Sequence, residues 1–477
     1  MVSCLQSVRS GPISRFARQV LLCSAIGAWL LPLTELSGAQ PPQKMTQQAA
    51  EKIILKGDRF ADQAAYLDAV RCYTDAYLGI VAQLRGQEFR EDVDPSLMTR
   101  NELSEEMKRQ MELDYTEAEL KLMEASYKVF GLVPAKFDVR ETMTKLLTEE
   151  VGGFYDPRTK AMVLVREDDR AREPGLFGRM LGQRPTFDKE EQKITLAHEL
   201  THALQDQLYD LLALQKRIED DDDMSMAFSA LVEGDATLVM FGEMGRQEGD
   251  IASRTEMDPE AARFMFNIMK MMLPIAGGKT YRGSPPIFRD GLIFPYFQGL
   301  IFNLNLTRAG GFSKVHDAYR SPPVSTEQIL HPNKYMTEVD LPWRITVREP
   351  SKLFPETWKH LGGNCLGEFQ VSILLKRVPN SLQAAEGWDG DRYEVYENSD
   401  GKLGLLWLSI WDSNQDALQF VRAMERYAEI QQQVDSFQIQ CDDLEVRVVI
   451  GLDAKSAKDV LVRIGPLEKT LKEFPQK

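Results

Sequence analysis

From near Lys189 the chain places Ala197, Leu200, Leu204 and Leu208 at spacings of three and four. That period requires a helix with one apolar face in a core. The other face carries His198 and His202, one turn apart and on the same side. Two imidazole nitrogens can therefore meet a single metal ion. Glu199 lies roughly 100 degrees round the helix from His198, close enough to reach a water on that ion without being a ligand. The helix thus packs through one side and presents a site through the other.

A catalytic zinc usually has three protein ligands and one open position. The remaining histidines, His316, His331 and His360, do not follow at the short glycine-containing spacing of the metzincin pattern. Glu233, 31 residues after His202 and set among Ala230, Leu231, Val232 and Ala236, is the expected third ligand. A second helix, from about Met224 to Met244, can return it antiparallel to the first, and a carboxylate in such apolar surroundings needs a partner. Asp235 or Asp206 could orient a ligating histidine through its other ring nitrogen. The run Asp220 to Asp223 lacks the spaced ligands and glycine of a calcium loop. It reads as capping and solvation at the start of the second helix.

The rest of the chain reads as α+β, mainly helical. Residues 1–39 have the layout of a signal peptide: Arg9, Arg15 and Arg18, an apolar run from Val20 to Leu33, then Ser37-Gly38-Ala39. Export to the periplasm, cell envelope or medium is expected, with no membrane span once the signal is removed. Residues 40–135 form a helical region, in which Phe60 to Tyr73 has the spacing of a single tetratricopeptide-like hairpin. One hairpin cannot make a solenoid, so it reads as ordinary helix packing. Residues 136–346 hold the motif, preceded by a strand-turn-strand from Gly152 to Val165 with Asp156-Pro157 at the turn. A basic, glycine-containing loop, Arg170 to Arg184, leads into the motif helix. Residues 347–477 alternate strands and helices, with a hairpin across Asn398 to Gly401. The net charge of −15 excludes the basic face that nucleic-acid binding needs. Of five cysteines, Cys4 and Cys23 leave with the signal. Cys72, Cys365 and Cys441 then allow one disulfide at most.

His198 to Asp206, HELTHALQD, is similar to the active helix of thermolysin-like gluzincins, and Glu233 to Ala236 looks like their glutamate helix, although the gap here is longer. Gly153-Phe154-Tyr155-Asp156-Pro157, Phe294-Pro295-Tyr296 with Gly299, Ser325 to Pro332, and Gly387-Trp388 with Gly390-Asp391-Arg392 extend the likeness. The whole pattern resembles a family of exported bacterial proteins described as zinc metallopeptidases. The resemblance implies a zincin-like catalytic domain and one zinc per chain, held by His198, His202 and Glu233. It also implies a peptide or protein substrate and Glu199 as general base. His331, in a loop tied between Pro323 and Pro332, is the candidate oxyanion donor, with Tyr296 as a second. Met162 to Val165 or its partner strand would be the edge strand that takes an extended peptide. An inactive zincin-fold scaffold and a zinc hydrolase of small molecules remain open at this point.

Overall fold

The computed structural model describes residues 46–167, 186–248, 256–276, 279–379, 381–432 and 436–475. The expected leader and the basic loop lie outside the described residues. The chain is α+β with helix dominant. In order it forms α1 (Gln47–Asp62), α2 (Tyr66–Arg85), β1 (Pro95–Thr99), α3 (Arg100–Asp114), α4 (Glu117–Val129), α5 (Val139–Glu150), β2 (Gly153–Asp156) and β3 (Ala161–Arg166). The middle is α6 (Lys189–Tyr209), α7 (Leu211–Lys216), α8 (Asp222–Glu248), α9 (Pro259–Ala276), α10 (Lys279–Gly283), α11 (Pro286–Gly310), α12 (Phe312–Arg320), α13 (Thr326–Leu330) and α14 (Asn333–Met336). Then follow β4 (Trp343–Thr346), β5 (Trp358–Asn364), α15 (Gly367–Leu374), α16 (Ser381–Ala385), β6 (Trp388–Asn398), β7 (Leu403–Trp411), α17 (Asn414–Ile430), β8 (Phe437–Asp442), β9 (Glu445–Ile450), α18 (Ala454–Ile464) and β10 (Glu468–Leu471).

The first sheet has the order β1-β3-β2, with β1 parallel and β2 antiparallel to β3. Side chains on a strand alternate between faces, and β3 uses both. Met162 and Leu164 join Leu196, Ala197, Leu200 and Leu204 of α6 and the apolar side of the α1–α2 hairpin. Val163 and Val165 pack with Leu103, Met107 and Leu147 of α3 and α5. The sheet is therefore covered on both faces, and the N-terminal hairpin shares its core with the motif helix. One expectation narrows here and another changes. Met162 to Val165 is the central strand and cannot be an edge; β1 and β2 are the edges. Residues 40–135, read as a helical region, contain β1, whose Pro95-Ser96-Leu97-Met98-Thr99 does not alternate apolar with polar side chains.

The second sheet runs β5-β6-β7-β9-β8, all antiparallel. One face buries Trp388, Trp407 and Trp411 with α17 and with Leu122, Val129 and Phe130 at the end of α4. The other face packs against β4 and α18. β10 pairs antiparallel with β4, a pair absent from the sequence reading. Cys72, Cys365 and Cys441 are all free thiols.

Helix α8 runs through the middle. By length and composition it could cross a membrane, but 94% of its most apolar window is buried inside the protein. It is a core helix. It crosses α11 where Gly234 meets Gly299. A Cβ built on Gly234 would stand 2.1 Å from the Gly299 carbonyl carbon, and one on Gly299 would stand 2.1 Å from the Ala230 oxygen. Gly234→Ala is therefore expected to destabilise the protein by about 1–3 kcal/mol or more, as overpacking does. A fall in the thermal midpoint reads this; an unchanged midpoint would mean the two helices separate without cost.

Candidate metal centre

Helix α6 starts on a strong signal: Asp188 caps it, accepting from the backbone N–H groups of Glu190 and Glu191. It ends at Asp210, in the left-handed region. The excess length before Glu233 is taken up by α7 and the aspartate turn. The second helix then returns along the first. His198 Nε2 and Glu233 Oε2 are 3.0 Å apart, the two histidine Nε2 atoms 3.1 Å, and His202 Nε2 and Glu233 Oε2 3.4 Å. His198, His202 and Glu233 are all buried.

These atoms form the face of a small tetrahedron. Bonds of about 2.0–2.2 Å to a tetrahedral ion put its ligand atoms about 3.3–3.6 Å apart, so the triangle matches after a few tenths of an ångström of expansion. The donor set of two imidazole nitrogens and one carboxylate oxygen suits a borderline ion. Glu233 Oε1 and Glu199 Oε2 are buried with no protein hydrogen-bond partner, as expected of groups whose partner is not protein. The residues fit the ion.

The charges interact strongly in the metal-free protein. Burial opposes a charge on His202, but the Glu233 carboxylate prevails and lifts it to about 9. Burial would raise Glu233 as well, and the histidines hold it at about 2. Glu199, one residue beyond His198, is pushed up from the usual carboxylate range by burial. The backbone amide of Tyr155 on β2 acts in the opposite direction, favouring the charged carboxylate.

Around these residues the sequence reading succeeds unevenly. Tyr296 lies beside the centre: its ring stacks on His198, centroids 5.8 Å apart. The orienting group for His202 is neither Asp206 nor Asp235. Gln205 Oε1 meets His202 Nδ1 at 2.9 Å, and Asp235 stands behind it, accepting from Gln205 Nε2 at 3.0 Å. The available signal was position, because Gln205 lies three residues after His202 and therefore on the same helix face. Asp206 instead accepts from the Tyr155 hydroxyl at 2.9 Å and Lys160 Nζ at 2.5 Å, tying α6 to the β2–β3 turn.

His331 is placed in another setting. Short helix α13 docks on α15, and His331 Nε2 pairs with Glu368 of α15 at 2.9 Å, a bond that raises its pKa. That nitrogen is engaged with the C-terminal body rather than offered to the three ligand atoms. Nearby Glu327, Asp340 and Asp412 also converge, but Lys334 Nζ lies within 2.6–2.8 Å of all three and is the cation there. The aspartate run is not a solvated cap. Asp221, Asp222 and Asp223 are buried, and Lys472, from just after β10, reaches Asp221 and Asp223 at 2.9 Å each. Asp221 does cap the helix, accepting from Met224 N at 2.9 Å.

No curated protein and no solved structure matches the chain. Residues 356–474 match a family described as a domain of unknown function, DUF8575. The match covers the five strands of the second sheet and β10, and contains none of the metal-centre residues.

Proposed function

We propose that this chain is a zinc-dependent hydrolase of peptide bonds, with a zincin-like catalytic domain acting outside the cytoplasm. One observation carries the reading. His198, His202 and Glu233 converge from two helices on one point, with Glu199 beside them and its Oε2 buried without a protein partner. Zinc, when bound, supplies Lewis acidity to a water and to the substrate carbonyl. His198, His202 and Glu233 would hold it, and burial of α6 and α8 excludes bulk solvent. Glu199 takes the proton of the attacking water and returns it to the departing amine. The Tyr155 amide favours the charged carboxylate, and Oε2 has no protein partner. Tyr296, stacked on His198, takes the place of His331 as the nearer candidate to support the oxyanion.

Peptide as substrate rests on the resemblance of the motifs, and on edge strand β2 running beside α6 with its Tyr155 amide at Glu199. A second reading, hydrolysis of a small molecule, is favoured by one feature: all four residues of β2 are buried, and the ligands are at most 8% exposed. Metal analysis of the purified protein is expected to give about one zinc per chain. Chelation should abolish cleavage of a peptide library, and added zinc should restore it. A metal-free wild type would overturn the reading. Zinc-dependent cleavage confined to small amides or esters would establish the second one, and a zinc-loaded protein inert to both a scaffold.

A further inference from the structure

Arg85, the last residue of α2, is only 2% exposed, although arginines at helix ends usually reach water. Its Nε lies 2.9 Å from Asp235 Oδ1 and donates to Oδ2 at 3.2 Å. Its guanidinium lies over the Phe312 ring, 4.9 Å from the centroid. Asp235, on α8 two residues past Glu233, is fully buried. It accepts from Gln205 Nε2 at 3.0 Å and from the Tyr319 hydroxyl at 3.1 Å. Asp235 is thus ringed by donors.

That ring decides which way the Gln205 amide faces. Its nitrogen gives one hydrogen to Asp235 and the other to the Val232 carbonyl, at 3.0 Å. Its oxygen must then face His202 Nδ1. A carbonyl there requires Nδ1 to carry a hydrogen, so that in the neutral imidazole that binds a metal the lone pair is on Nε2, towards His198 and Glu233. A buried ion pair is itself weak evidence for stability, since packed apolar groups often do as well. What this pair fixes is the orientation of a ligand.

We propose that Arg85 is a positioning residue of the metal centre, acting through Asp235 and Gln205 to hold His202 in its ligating tautomer. The N-terminal hairpin is then part of the centre and not a detachable inhibitor or docking module. This rests on the metallohydrolase reading above, and the experiment separates the two. Zinc affinity and the visible absorption of the cobalt-loaded protein are measured on the full chain. Wild type that binds neither ion sinks the metal reading itself. If wild type binds, Arg85→Met is expected to weaken zinc binding by about 10–100-fold, the usual loss for an outer partner of a ligand, and to shift the cobalt spectrum. Arg85→Lys should recover part of both, having the charge without the planar fork. The double variant Arg85→Met/Gln205→Met should bind no more weakly than Gln205→Met alone, because the two act along one path. Additive losses, or unaltered affinity and spectrum in folded Arg85→Met, would overturn the relay. Should Arg85→Met fail to fold, Tyr319→Phe combined with Gln205→Met takes its place under the same criterion: non-additivity supports the path through Asp235, additivity removes it.

Discussion

Glu199→Gln is expected to lower the rate of hydrolysis by about 10²–10⁴-fold while the protein retains its zinc. The side chain is 6% exposed and one of its oxygens has no protein partner. The amide is close in size, so packing between α6 and β2 should survive. What is lost is the ability to take up and return a proton. Because Glu199 is not among the three converging ligand atoms, metal content is the control that distinguishes this variant from a ligand substitution. His202→Ala, by contrast, should lose both metal and activity. A Glu199→Gln protein as active as wild type would remove the proposed mechanism even with zinc in place.

Lys472→Met is expected to cost about 3–5 kcal/mol, the range for removing one partner of a buried ion pair. Lys472 is 3% exposed and lies 2.9 Å from both Asp221 and Asp223. Asp223 also accepts from the backbone and hydroxyl of Thr326, so the variant would leave a buried carboxylate without its cation where three segments meet. Arg344 approaches Asp221 only to 3.4 Å and is partly exposed, so it does not replace the lysine. Denaturant or thermal unfolding reads the effect, and Lys472→Arg should lose less. A midpoint equal to that of wild type would show the cluster carries no net cooperative energy.

Legibility followed the range of the interactions. Helix α6 was readable because its apolar stripe and its two histidines all lie within one helix of 21 residues. The β6–β7 hairpin was readable because Asn398 to Gly401 supplies local turn chemistry. Glu233 was found because a charged residue in an apolar helix requires a partner. The failures depend on distant partners. Nothing near Asp221 to Asp223 reveals Lys472, some 250 positions later. Nothing near His331 reveals Glu368. The parallel pairing of β1 with β3 joins segments more than 60 residues apart, and the two strands carry no mark of each other. Gln205 was overlooked because carboxylates are the more familiar supports for a ligating imidazole, although its place on the helix was the right one.

The lysine after β10 also bears on the order in which the molecule is made. The helix that carries Glu233 begins at acidic groups whose counter-charge is synthesised some 250 residues later. Until that residue has emerged and docked, the start of α8 holds buried negative charge without its cation. The nascent chain therefore completes both histidines and the glutamate long before it can secure the helix that carries the last of them.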